Sequence, residues 1–254
     1  MKPRIGAVPY GVGAPLITGL DHDPSVCLVE DVPSRLIGWL RSGELDAALV
    51  SSVEAFRRPG YTALADIGIC CRGAVRSVRA FRRPEVPIRS VGLDDSSETS
   101  AALLRVLLPR IAPEATPEFE RVEPTTEPDA LPHDLVMLIG DPGLRATPGT
   151  REVIDLGAAW HEWTDLPFVF ALWLIAPGAP AERIAQILRR AHADGARNHT
   201  DDGTGGAVHY DIGAPEIDGL RRFHAEASRL GLADRAIEPR FVGRSTTSKA
   251  RQRN

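Results

Sequence analysis

Cysteine is scarce in this 254-residue chain, and the little there is cannot staple it. Cys27, Cys70 and Cys71 make an odd count with two sequence neighbours. A disulfide between adjacent residues strains the peptide unit that joins them, so no covalent framework is expected. No Cys-x-x-Cys or Cys/His spacing of the zinc kind occurs, and the seven histidines are scattered, so no metal is expected. Long apolar runs are missing too: no window approaches 18 apolar residues, which speaks against membrane insertion. "MKPRIGAVPYGVGAPL" lacks the uninterrupted apolar core of a leader, which points to the cytoplasm. Positive charge is not in excess. With 30 Lys and Arg against 34 Asp and Glu the net charge is −4, and no basic field asks for nucleic acid. Internal repeats and low-complexity segments are absent, and nothing in the composition fixes an oligomeric state.

The hydrophobic content of 43% and charged content of 25% are those of a globular protein with ample core for one large domain or two modest ones. "RIGAVPY" reads as a first strand, "SVCLVED" as a second and "ELDAALVSS" as a third. Between the second and third, Pro33 and Ser34 open a helix with Leu36, Ile37 and Leu40 on its apolar face. Strand, helix, strand with short connectors predicts an α/β fold with parallel pairing. "AVRSVRAF", "SVGL" and "HDLVMLIGD" continue the strands, residues 113–132 form a loop with one edge strand, and "LPFVFALWLIA" is a central strand. From Pro177 the pattern is helical. The order predicts two α/β lobes crossed twice by the chain: 1–82 with 173–242, and 83–172. A basic tail follows at 243–254, expected to be disordered. A cleft between such lobes is the expected ligand site.

One stretch calls for a partner. "DDSSETSAALLRVLL", residues 94–108, sets Ser96, Ser97, Thr99 and Ser100 between an acidic turn and an apolar helix. These side chains cap a first turn by accepting from its free N–H groups. They also suit an anion, because a helix start carries unpaired amides and partial positive charge. The two uses are compatible at a strand-to-helix turn, where α/β proteins hold ligands. Arg76 and Arg79 flank Ser77 on an alternating segment and are further candidates for the cleft.

The series "RIGAVPY…APLITGL", "GELDAALVSSVE", "CRGAVRSV", "DDSSETSAALL", "LIGDPGL", "IDLGAAWHEWTDLPFVFALW" and "YDIGAPEIDGLRRF", in this order, resembles the MqnA family. The family comprises the chorismate dehydratases of the futalosine route to menaquinone, and the likeness runs from residue 4 to about 242. The resemblance implies a two-lobed fold of the periplasmic-binding-protein type 2 kind, with a central cleft between the lobes. It implies removal of water from chorismate to give 3-[(1-carboxyvinyl)oxy]benzoate, with no cofactor, since aromatisation of the ring supplies the driving force. By the same resemblance Ser77 and Glu54 are catalytic, and Tyr10, Gly11, Ser52, Ser97, Thr99, Ser100 and Asp141 bind substrate. One departure stands out: the family's first loop carries an Asn thought to take part in the chemistry, and here Val12 holds that position. Valine neither hydrogen-bonds a leaving hydroxyl nor moves a proton. Asp165 also stands where the family usually has Gly. The other reading is a two-lobed binding protein that closes on a small carboxylate without transforming it.

Overall fold

Gly6, in the middle of the first strand, shows how closely these layers approach. A Cβ there would meet Leu45 Cδ1 at 2.6 Å and Leu36 Cδ2 at 2.9 Å, so only a bare backbone lets the first helix lie down on the strand. That helix, α1 (Pro33–Ser42), starts on a proline whose missing N–H costs nothing at its position. It stops at Gly43, whose φ of 79° is left-handed and whose N–H returns to the Leu40 and Trp39 carbonyls. The computed structural model describes residues 2–9, 11–198 and 208–243.

Two sheets result. The first takes β1 (Arg4–Ala7), β2 (Cys27–Glu30), β3 (Ala47–Ser51) and β4 (Thr62–Cys71). The second takes β5 (Val78–Arg82), β6 (Ser90–Asp94), β7 (Glu118–Val122), β8 (Leu135–Ile139) and β9 (Glu152–Asp155). The chain then returns to the first sheet with β10 (Phe168–Ile175), β11 (Val208–Asp211) and β12 (Arg240–Val242). The orders are β11-β4-β10-β3-β1-β2, with β12 alongside β4, and β7-β6-β8-β5-β9. Parallel pairing holds where the βαβ pattern predicts it, at β1 with β2 and β3. The returning β10 is antiparallel to both its neighbours, as is β5 in the second sheet.

The remaining helices are α2 (Glu98–Ile111), α3 (Gly140–Arg145), α4 (Leu156–Thr164), α5 (Ala181–Asn198) and α6 (Ala214–Arg229). Both crossings lie upstream of their expected places at 82/83 and 172/173. The chain changes sheet between Cys71 and Val78, and again between Thr164 and Phe168. The Pro/Arg-rich stretch at 82–88 follows β5 inside the second lobe and does not join the lobes. A boundary at 172/173 would cut β10, whose alternation of ladder partners needs it whole. The strand β4 had no counterpart in the sequence reading. Its run "TALADIGICC" lacks a period-two pattern because it is covered on both faces, and its pairing with β10 is broken by register shifts. The short strands β11 and β12 also escaped.

The lobes share a core. One cluster of buried side chains includes Leu49 and Phe168 of the first sheet together with Leu103, Met137 and Trp160 of the second lobe. Helix α2 supplies much of it, with Leu103 and Leu104 fully buried, and packs on α6 and on the 3-10 turn Ser52–Phe56. Trp160 makes edge contacts with Phe168 and Phe223 at centroid distances of 5.3 and 6.3 Å, and its Nε1–H donates to the Pro167 carbonyl at 3.2 Å. This fastens the second crossing. There Asp165 adopts φ 55°, the left-handed conformation that glycine enters most freely and Asp tolerates better than most.

Candidate active site

A cavity of about 380 Å³ opens between the lobes. Its hydroxyls come from the ends of strands and the start of one helix, because strand-to-helix turns leave polar backbone and short side chains at the sheet's edge. Ser51 ends β3, Ser77 ends the first crossing, and Ser96, Ser97 and Ser100 surround the N-terminus of α2. Ser97 is the cap of that helix. Its Oγ accepts from the Ser100 N–H and the Ser100 hydroxyl, each at 3.2 Å, and lies 3.5 Å from Ser51 Oγ across the lobes. Capping and cleft lining are thus one arrangement. The walls between the hydroxyls are apolar: Val8, Val12, Leu49 and Phe170 on the first lobe, Val78 and Ile139 on the second. Among the described residues no Lys or Arg lines the cavity, and Asp141 at the rim is its one charged side chain.

Two carboxylates, Asp94 buried and Asp155 half-buried, shape the loops. Asp94, fully buried at the end of β6, accepts from the Ser96 N–H at 2.8 Å and the Ile139 N–H at 3.1 Å. Burial pushes its pKa up, against the pull of those hydrogen bonds. Asp155 ends β9 and caps α4. Sequence reasoning missed both, as it missed Ser51; an Asp at a strand end directly before a helix is the signal that would have marked Asp155.

The expected site residues divide into three groups. Ser77, Ser97, Ser100 and Asp141 line the cavity together. Thr99 and Ser52 do not reach it. Both are fully buried: Thr99 Oγ1 accepts from the Val53 N–H at 3.1 Å, while Ser52 Oγ lies 3.4 Å from it and donates to the Val169 carbonyl at 2.7 Å. They form a hydroxyl seam between the lobes. Glu54 does not line the cavity either. Its carboxylate is fully buried and takes a two-pronged ion pair from Arg41, with bonds of 2.8 and 2.6 Å, plus the Tyr61 hydroxyl at 3.3 Å. Out of water and, to a lesser extent, beside that charge, the Tyr61 hydroxyl is pushed up to about 12. Both oxygens of Glu54 are engaged there, and the side chain is not part of the cavity lining. Gly11 is exposed and absent from the lining, and Tyr10 lies outside the described residues. Arg79 turns from the cavity to donate to the carbonyls of Gly143, Leu144 and Ala146.

A salt-bridge clasp flanks the hydroxyls. Glu98, the first residue of α2, pairs with Arg57 of the first lobe at 2.8 Å and with Arg121 of the second. Burial pushes its pKa up, yet the two guanidinium groups outweigh this and hold it below the usual glutamate value. No grouping of His, Cys, Asp and Glu suited to a metal occurs among the described residues, and no described helix is long and apolar enough to cross a membrane.

Residues 3–203 match the family model described as menaquinone biosynthesis. A chorismate dehydratase of Thermus thermophilus is 35% identical over 216 residues, covering 77% of this chain and 78% of that one. A chorismate dehydratase of Campylobacter jejuni is 36% identical over 141 residues, 55% of this chain and 49% of the relative. Among solved structures, an Archaeoglobus fulgidus protein superposes with a TM-score of 0.65 at 15% identity, over 91% of this chain and 98% of that one. The alkanesulfonate-binding protein of Xanthomonas axonopodis, bound to MOPS, gives 0.59 at 12% identity, over 92% and 95%. The ligand-binding component of an ABC-type import system from Staphylococcus aureus gives 0.58 at 14%, over 91% and 92%. The architecture is therefore the two-lobed α/β fold of the periplasmic binding proteins, with a cleft between the lobes.

Proposed function

The chain belongs to the menaquinone-biosynthesis family, and from that premise we propose that it is a chorismate dehydratase, converting chorismate to 3-[(1-carboxyvinyl)oxy]benzoate and water. The reaction breaks one ring C–H bond and the neighbouring C–OH bond, and the ring becomes aromatic. It asks the protein to hold two carboxylates, align those two bonds and assist a departing hydroxide. The observation that carries the reading is the cavity's lining: five serine hydroxyls among apolar walls, at the start of a 14-residue helix. About 380 Å³ is within the range of small-molecule sites.

In this reading Ser97, Ser100 and the first turn of α2 receive a carboxylate, and Ser77 hydrogen-bonds the departing oxygen. Asp141, negative at the rim, turns the substrate's carboxylates toward the opposite end. Apolar side chains exclude water and lower the local dielectric, so neutral donors bind more strongly than they would in solvent. The free thiols of Cys27, Cys70 and Cys71 suit the cytoplasm, where we place the reaction.

The test is direct. Purified protein is mixed with chorismate, loss of the diene absorbance is followed, and binding is measured by calorimetry in parallel. Turnover that falls by about 10²–10³ in Ser77→Ala supports the reading. Binding of chorismate with no turnover overturns it in favour of a carboxylate-binding protein.

A further inference from the structure

The first crossing does not run straight into Ser77. The Ser77 N–H donates to the Val75 carbonyl two residues back, at 2.8 Å, and Arg76 between them has φ 61°. This is the γ-turn of the rarer hand, a conformation that a side-chain-bearing residue holds only when its surroundings impose it. The imposing group is visible. One oxygen of Asp155 accepts from the Arg76 N–H at 2.6 Å, and the other accepts from the Val75 N–H at 3.1 Å and the Ala158 N–H at 2.9 Å.

Asp155 is itself firmly set. Its Cα pairs with that of Arg79 in the β5–β9 ladder, and its side chain caps α4. The turn that follows is pressed against the crossing: a Cβ on Gly157 would come within 2.6 Å of the Gly73 carbonyl and 2.8 Å of Cys71 Sγ. Among the described residues, Ser77 Oγ has by contrast a single long bond of 3.4 Å, to the Val75 carbonyl, which a ligand oxygen can replace.

We propose that Asp155 is a positioning residue for Ser77, holding the strained Val75–Ser77 turn that aims the serine hydroxyl into the cleft. The inference rests on the dehydratase reading for its kinetic consequence but not for its structural one. Capping α4 needs one carboxylate oxygen. Clamping the turn needs both, because among the described residues the Arg76 N–H has the second to itself.

Asp155→Asn separates the two roles. An asparagine oxygen in place of the first carboxylate oxygen keeps the cap and the Val75 bond, while its NH2 faces the Arg76 N–H and cannot accept from it. We expect kcat for chorismate to fall about tenfold or more with little change in KM, the mark of an interaction used in the transition state. On a Ser77→Ala background the same change should have no further effect on kcat, since the clamp acts through the serine. Asp155→Ser, which retains a good cap but is too short to reach the crossing, should repeat the loss with a melting temperature near that of the native chain. An unchanged kcat in both variants, or full additivity with Ser77→Ala, overturns the inference.

Hydrogen exchange on the intact chain needs no substrate and keeps the two proposals apart. Faster exchange in Asp155→Asn confined to Val75–Ser77 supports the clamp even where chorismate is not turned over. Unchanged exchange there overturns it even where chorismate is.

Discussion

The two walls of the cleft are made of different material. On the first lobe Val8, Val12, Leu49 and Phe170 present hydrocarbon, and Ser51 is the sole hydroxyl among the described residues lining that side. The second lobe presents Ser77, Ser96, Ser97 and Ser100 around a helix start, with Val78 and Ile139 between them. The difference follows from topology. Both lobes bring strand ends to the cleft, but after β6 the chain turns directly into a long capped helix, whereas β3 runs into the short 3-10 turn Ser52–Phe56 whose polar groups are used internally. One wall therefore donates hydrogen bonds and the other excludes water and makes those bonds count. In the dehydratase reading the anion needs no cation, and among the described residues none lines the cavity.

The sharpest way to break this division is on the donating side. Ser77→Ala removes one donor aimed at developing charge and should lower kcat by about 10²–10³, with thermal stability unchanged; a loss below about tenfold would move the chemistry away from that wall. Next in size is a change behind the other wall. Arg41→Ala leaves the fully buried Glu54 carboxylate without its ion pair and should cost about 3 kcal/mol in urea unfolding while the folded fraction keeps its turnover. A comparable loss of kcat in the folded protein would return Glu54 to the chemistry. Val12→Asn then puts a donor on the hydrocarbon wall. We expect kcat to rise about tenfold, somewhat less than the full worth of an optimally placed donor, and a fall would show that the wall must stay dry. The smallest effect tests the clasp at the helix start. The folded-state pKa of Glu98 lies below its ordinary value, so the stability it adds is present above that value and lost as the pH falls through the lowered one. Glu98→Gln should cost about 1 kcal/mol or less near neutrality and flatten the acid limb of the stability curve.

Much of the fold was legible because period and punctuation agree in particular segments. Pro33 and the left-handed Gly43 bracket α1, and the apolar run at 168–175 is a central strand, as its composition demands. β4 was illegible for the opposite reason: a strand buried on both faces loses the alternation by which strands are recognised. The crossings were misplaced because proline and arginine mark a loop without saying which lobe owns it. In the site, sequence identified the hydroxyl-rich turn but not the direction of each side chain. Thr99 lies two residues beyond Ser97 on a helix, hence on another face, and points into the seam between lobes. Glu54 went astray because nothing in "VSSVE" reveals that Arg41, thirteen residues earlier, waits for it. Asp155 acts across 79 residues of chain on Arg76, a separation no local pattern encodes.

The apolar cluster that runs without a break from Leu49 through Leu103 to Trp160 and Phe223 makes separate inheritance of the lobes impossible. A fragment carrying residues 78–164 alone would display α2 and α4 as bare hydrocarbon, and the remainder would lose the packing over β10. The molecule should therefore melt in one cooperative step, and cutting it at either crossing should yield insoluble pieces in place of two working halves.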